Sequence, residues 1–361
     1  MSNAEVVDCL SQYQDAYYPN GIPGSVIALC ELQGSTLDLK LSIGFPLGDK
    51  KMAFTDAIKQ HVLNLPTISS VSLAIDETVQ PHLTQNNLPS LHRVKNIIAV
   101  ASGKGGVGKS TVSVNLAIAL GQLGARVGIL DADIYGPSQS KMLNIEEGTR
   151  PEFIDEKRFK PIEAYGIQSM SMGYMVTENT PMVWRGPMVS GALTQLLNQC
   201  TWNDLDYLIV DMPPGTGDIQ LTLAQQVPVA ASVIVTTPQE IALLDAKKGI
   251  EMFAKTGIPV LGLVENMALH TCSQCGHQEA IFGEGGGQVL SERYQVPLLA
   301  SLPLNPKTRE GMDAGKPPVA IEPEGELAQT FRDVARKVTA LLAQRPINQR
   351  ETAATTIATD A

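Results

Sequence analysis

The chain has 361 residues, 43% of them hydrophobic and 18% charged, with a formal net charge of −10 at neutral pH. That length suits one large domain and a smaller one, while the acidic balance argues against nucleic acid or an anionic membrane as partner, since both select basic surfaces. The five cysteines, Cys9, Cys30, Cys200, Cys272 and Cys275, hold one close pair and no disulfide framework, which suits a reducing compartment with the pair kept for metal or redox chemistry. The first eighteen residues carry Glu5, Asp8 and Asp15 in place of a basic, apolar leader, and no apolar run reaches the ~18 residues that span a bilayer. A cytoplasmic protein is expected.

Residues 1–80 read as a small α+β domain. Runs 25–33 and 36–45 meet at Gly34-Ser35, a hairpin turn. In the second run Leu37, Leu39, Leu41 and Ile43 alternate with Asp38, Lys40 and Ser42, the period of a half-buried strand. Residues 51–65 fit an amphipathic helix and 68–75 a further strand. Residues 81–93, with Pro81, Asn86, Asn87 and Pro89, read as a linker.

From residue 94 to 345 the pattern changes to an α/β domain. Apolar strands are predicted over 96–101, 126–131, 207–211, 232–236 and 260–265, each followed by a helix-like segment. Continuous apolar strands of this kind belong in a mostly parallel, doubly wound sheet covered on both faces. A last helix is placed at 326–343, and the Thr- and Ala-rich residues 346–361 read as a disordered tail.

The first strand runs into Gly103-Lys104-Gly105-Gly106-Val107-Gly108-Lys109-Ser110, which matches G-x-x-x-x-G-K-[ST] between a strand and a helix. Its glycines let successive N–H groups and the helix N-terminus converge on phosphates. Lys109 is expected at the β/γ-phosphates of ATP, Ser110 on Mg²⁺, and Thr111 near the α-phosphate. Asp131 and Asp133 close the strand at 126–131, and Asp211 closes the one at 207–211. Carboxylates at such strand ends face the ligand crevice. Asp211 is expected beside Mg²⁺, directly or through water, with Asp131 nearby, and Asp133 is placed to orient an attacking water. The glycines after each are read as switch loops.

Cys272 and Cys275 stand in His270-Thr271-Cys272-Ser273-Gln274-Cys275-Gly276-His277. The pair is a two-thiolate clamp, whereas a [4Fe–4S] cluster takes four ligands. A two-fold dimer would supply them, one pair from each subunit. Three other occupancies stay open at this point: a zinc site within one chain using His270 and His277, a dithiol redox pair, and a zinc ion bridging two subunits through four cysteines.

With these motifs in place, residues 94–340 closely resemble the Mrp (ApbC-like) iron–sulfur carriers, a branch of the deviant phosphate-loop ATPases. The resembling stretches are 102–110, 131–138, 183–188 (V-W-R-G-P-M), 211–221, 264–267, the Cys272/Cys275 pair and 281–287. The resemblance implies a P-loop NTPase fold, ATP binding and slow hydrolysis, a homodimer, and a labile [4Fe–4S] cluster received from a donor and passed to apoproteins. It also implies that Lys104, the second lysine of the loop, reaches the partner's nucleotide and that Asn266 contacts adenine. Ser273 departs from a family pattern that often has proline there. The N-terminal domain looks like the small MIP18-type domain fused in this family, without an acidic Asp-Pro-Glu signature near Pro19.

Two other functions fit parts of this pattern. A Min- or Par-type positioning ATPase with a structural zinc site shares the loop, but the C-terminal tail is neither basic nor amphipathic and the acidic charge disfavours DNA. An electron-transfer ATPase like nitrogenase iron protein also bridges a cluster between subunits, but with single, widely separated cysteines.

Overall fold

The structure, a computed structural model, describes residues 3–134, 136–175 and 186–349. Tyr135, residues 183–185 of the resembling stretch 183–188 and residues 350–361 of the expected tail lie outside the described residues. The chain forms two compact units, residues 1–80 with 339–361, and residues 81–338.

The smaller unit runs α1 (Asn3–Ser11), β1 (Ile27–Gln33), β2 (Thr36–Ser42), α2 (Lys51–Leu63) and β3 (Ser70–Asp76). β1 and β2 pair antiparallel through the hairpin, with Gln33 opposite Thr36, and β3 pairs parallel with β2. The alternation in β2 sends Leu37, Leu39 and Leu41 inward, all fully buried. They join Val6, Leu10, Phe45, Phe54, Ile58 and Val62 in one core, so the period-2 pattern of the strand and the helix spacing of α2 bury against each other.

Residues 81–93 are the segment read in sequence as a linker. They belong to the larger unit, where His82 and Gln85 are buried. The His82 N–H donates to Asn96 Oδ1 at 3.0 Å, and Gln85 Nε2 donates to the carbonyls of Ala224 and Val227. Gln85, loop-like in sequence, here satisfies backbone acceptors.

The larger unit contains β4 (Val94–Ser102), α3 (Lys109–Gln122), β5 (Val127–Asp131), α4 (Gln139–Met142), β6 (Ile162–Ala164), β7 (Ile167–Ser171), α5 (Gly186–Gln199), β8 (Leu205–Asp211), α6 (Asp218–Gln226), β9 (Ala231–Thr236), α7 (Glu240–Thr256), β10 (Val260–Glu265), β11 (His270–Thr271), β12 (Gln278–Glu279), α8 (Gly286–Tyr294), β13 (Leu298–Ser301), α9 (Pro306–Asp313) and α10 (Pro318–Ile321). α11 (Glu326–Ala343) follows. Eight strands form one sheet in the order β13-β10-β9-β4-β8-β5-β7-β6. Every pairing is parallel except that of β6 with β7. The mixed α/β fold and its mostly parallel sheet agree with the sequence reading, which did not anticipate β6, β7 or β13.

The sheet's register sets the site. Val100 of β4 stands opposite Asp211 of β8, and Asp211 stands opposite Asp131 of β5. The loop after β4 and two strand-end carboxylates therefore come together at the C-terminal edge, where open α/β sheets bind ligands.

Candidate nucleotide site and cysteine hairpin

The phosphate loop takes its shape from its glycines. Gly106 and Gly108 have φ of 80° and 84°, a left-handed conformation that side chains resist. Gly103 is required for a different reason: a Cβ there would fall 2.1 Å from the main chain of Asp245 in α7. Gly108 precedes α3 without a capping side chain, which leaves the first N–H groups of a 14-residue helix for a ligand. A cleft of about 200 Å³ opens beside them, lined by Lys104, Gly105, Gly106, Gly108, Lys109, Ser110, Thr111 and Asp133 among others.

Beneath the cleft lies a buried polar network. Lys109 Nζ is 2.6 Å from Asp211 Oδ1, so the lysine expected at the phosphates is held by the strand-end carboxylate. Ser113 Oγ donates to the same oxygen at 2.8 Å, and Gln139 Nε2 donates to Asp211 Oδ2 at 2.9 Å. Asp131 accepts from the main-chain N–H groups of Asp133, Ser138 and Gln139 at 3.1, 3.1 and 3.2 Å, and from Ser171 Oγ at 3.2 Å. Burial, and then the adjacent Asp211 charge, raise the Asp131 carboxyl to about 7. Ser113 and Gln139 were not singled out in sequence. Ser113 stands four residues after Lys109, on the same face of α3, a spacing that would have signalled it.

Asp131 therefore makes a pH prediction for protein free of nucleotide and metal. Between the ordinary aspartate value of 3.8 and about 7, the folded chain keeps a proton that the unfolded chain has lost. Stability should fall across that window as pH rises, by up to about 1.4 kcal/mol per pH unit. Urea unfolding from pH 5 to 8 should show the slope in the parent protein and a shallower one in Asp131→Asn. Equal slopes would place the proton elsewhere.

The remaining predicted residues are positioned as follows. Asp133 lines the cleft with its side chain partly exposed. Lys104 also lines it, and its Nζ lies 3.5 Å from Gln239 Oε1 of the same chain. Val107 is buried, and its carbonyl accepts from Asn266 Nδ2 at 2.9 Å. Asn266 is itself buried and packs against Gly108, where a Cβ would meet its Nδ2 at 2.2 Å. The contact this structure gives Asn266 is thus with the phosphate loop. One residue earlier, Glu265 accepts from the Gly287 N–H at 2.7 Å and from Ser301 Oγ at 2.9 Å, which joins two of the stretches noted in sequence, 264–267 and 281–287.

Four residues after Asn266, at His270, the chain enters the cysteine hairpin. β11 and β12 pair antiparallel, His270 with Glu279 and Thr271 with Gln278. The turn between them is closed by Cys272 N–H to His277 O and Gly276 N–H to Cys272 O, both 2.9 Å, with Gly276 at φ 71°. The N–H groups of Gln274 and Cys275, and the Cys275 thiol, point at the Cys272 sulfur and hold its thiol below the usual range. Cys275 is exposed and Cys272 partly so, while Cys200 is buried, where desolvation pushes its thiol up. His270 Nδ1 is 3.2 Å from Leu304 O. Among the described residues no three His, Cys, Asp or Glu side chains gather to hold a metal. No helix of the described residues is long and apolar enough to cross a membrane.

The family described as ParA, NUBPL iron-transfer P-loop NTPase, matches residues 93–339. The iron–sulfur cluster carrier protein of Pseudomonas fragi is 61% identical over 77% of this chain and 97% of its own. That of Escherichia coli K12 is 49% identical over 85% of this chain and 83% of its own. A nucleotide-binding protein from Archaeoglobus fulgidus, solved with ADP, superposes with a TM-score of 0.56 at 35% identity, covering 65% of this chain and 90% of the other. The phosphate loop, the paired strand-end carboxylates and these likenesses together place the chain in the ParA-type family of iron-transfer P-loop NTPases.

Proposed function

We propose that this chain is an ATP-hydrolysing iron–sulfur carrier, working in the cytoplasm as a homodimer that holds a [4Fe–4S] cluster between two cysteine hairpins and passes it from a donor to apoproteins. The observation that carries this is the exposed Cys272/Cys275 hairpin, which brings two sulfurs and no further ligand among the described residues. A cluster needing four ligands then calls for a second copy. The names carried by the relatives support the same reading.

The residues fit Mg²⁺ and ATP. Ser110 at the helix start, with Asp131 and Asp211 beneath it, forms the oxygen-rich set a hydrated Mg²⁺ takes, and the metal would neutralise phosphate charge. Lys109 leaves Asp211 for the β/γ-phosphates, and the N–H groups of 105–111 cradle the chain of phosphates. Asp133 orients the attacking water at the cleft. Lys104 completes charge stabilisation on the partner's nucleotide when the dimer closes, as an arginine finger does. Coupling to the cargo runs through the end of β10: Asn266 grips the phosphate loop at Val107, and Cys272 lies six residues further on.

Anaerobic reconstitution with iron and sulfide, followed by metal counting and mass measurement, tests this. Four irons per two chains in a dimer is expected. A monomer that keeps a full metal complement, or zinc at the thiols of protein prepared without air, would overturn it.

A further inference from the structure

The buried network holds an acceptor with no donor. Gln139 is fully buried. Its Nε2 is spent on Asp211 and its main-chain N–H on Asp131, while its Oε1 has no hydrogen-bond partner among the described residues. The amide cannot be turned over to relieve this, because Oε1 would then face the Asp211 carboxylate. Buried polar atoms are normally satisfied, so the vacancy asks for a reason.

The donors nearby are already directed elsewhere. Lys109 Nζ serves Asp211 and Ser110, Ser113 Oγ serves Asp211, and Ser171 Oγ serves Asp131. Among the described residues no donor is left for Oε1, and a ligand that brought one would have to tolerate two adjacent carboxylates. Hydrated Mg²⁺ meets both conditions, since it keeps several waters when bound through phosphates and its charge favours the acidic pair.

We propose that Gln139 is a positioning residue for the Mg²⁺ that accompanies the nucleotide: its amide N–H₂ keeps Asp211 facing Asp131, and its carbonyl accepts from a water of that metal. This rests on the nucleotide reading above. Gln139 also fixes the segment after β5 to β8, so metal arrival is felt at once by the loop that carries Asp133.

The test is equilibrium binding of a fluorescent ADP to the full chain, with Mg²⁺ and with EDTA. In Gln139→Leu, affinity in Mg²⁺ should drop about tenfold, the scale of losing a residue behind a metal's ligands, with little change in EDTA. Gln139→Glu keeps an acceptor and adds negative charge, so its advantage from Mg²⁺ should exceed the parent's. An undiminished Mg²⁺ advantage in the Leu variant overturns the proposal, and so does an equal loss in both buffers, which would assign Gln139 to packing. Should the Leu variant fail to fold, a Glu variant with no enlarged Mg²⁺ advantage overturns it alone. A parent protein that binds ADP in neither buffer instead fails the nucleotide reading.

Discussion

Lys109→Met is expected to abolish nucleotide binding and to destabilise the larger unit by about 3–5 kcal/mol, the range for breaking a buried ion pair from one side. Lys109 is 6% exposed and Asp211 is fully buried, with 2.6 Å between the charged atoms. Methionine keeps most of the apolar stem and removes the ammonium, so packing changes little. What remains is the Asp211 carboxylate beside Asp131, away from solvent and without its cation. The loss should therefore be electrostatic, and Asp211→Asn in the same chain should recover much of it. Ser113 and Gln139 donate to the two Asp211 oxygens, and an asparagine carbonyl still accepts from one of them. Nucleotide binding should stay absent in the double variant, because the phosphates have lost the charge that receives them. Urea unfolding and ADP titration of the parent and the two variants separate the two effects. A single variant as stable as the parent would show that Lys109 does not neutralise Asp211 in the resting protein.

The same ion pair shows where sequence stops being informative. The phosphate loop is legible because eight consecutive residues encode it, and Asp131 and Asp211 are legible because each ends an apolar strand. That Lys109 rests on Asp211 depends on the register of three strands from distant parts of the chain, which no local spacing reports. Gln139 is hidden for the same reason: nothing in Ser138-Gln139-Ser140 marks a fully buried amide. β7, Ile167–Ser171, carries Gln168, Ser169 and Ser171 and does not read as an apolar strand. It is nevertheless buried along most of its length between β5 and the edge strand β6. Residues 81–93 carry turn-forming residues, and the burial of their His82 and Gln85 side chains is not visible in that composition. The cysteine pair was legible from its spacing, whereas the contact of the His270 ring nitrogen with Leu304 O appears only in the folded hairpin.

Cys272→Ala and Cys275→Ala should each abolish cluster binding while leaving nucleotide affinity and stability close to the parent's. Both side chains sit on a hairpin whose turn is held by main-chain hydrogen bonds, Cys272 N–H to His277 O and Gly276 N–H to Cys272 O. Neither sulfur fills a core, so truncation should cost no more than an ordinary surface change, within about 0.5 kcal/mol. In the proposed symmetric dimer each substitution would count twice, reducing four sulfurs to two, and two thiolates would not retain a [4Fe–4S] cluster. Cys200→Ala makes the control. Its thiol is buried in the core with Trp202 and Phe159, so that variant should lose stability and keep the cluster. Iron and sulfide counts after reconstitution, read beside ADP affinity, decide the matter. If either hairpin variant keeps its full iron and sulfide, the sulfurs that hold the cargo lie elsewhere in the chain. If both variants also lose ADP binding, the hairpin supports the nucleotide site through β10 and Asn266, and its role as a clamp would have to be re-established separately.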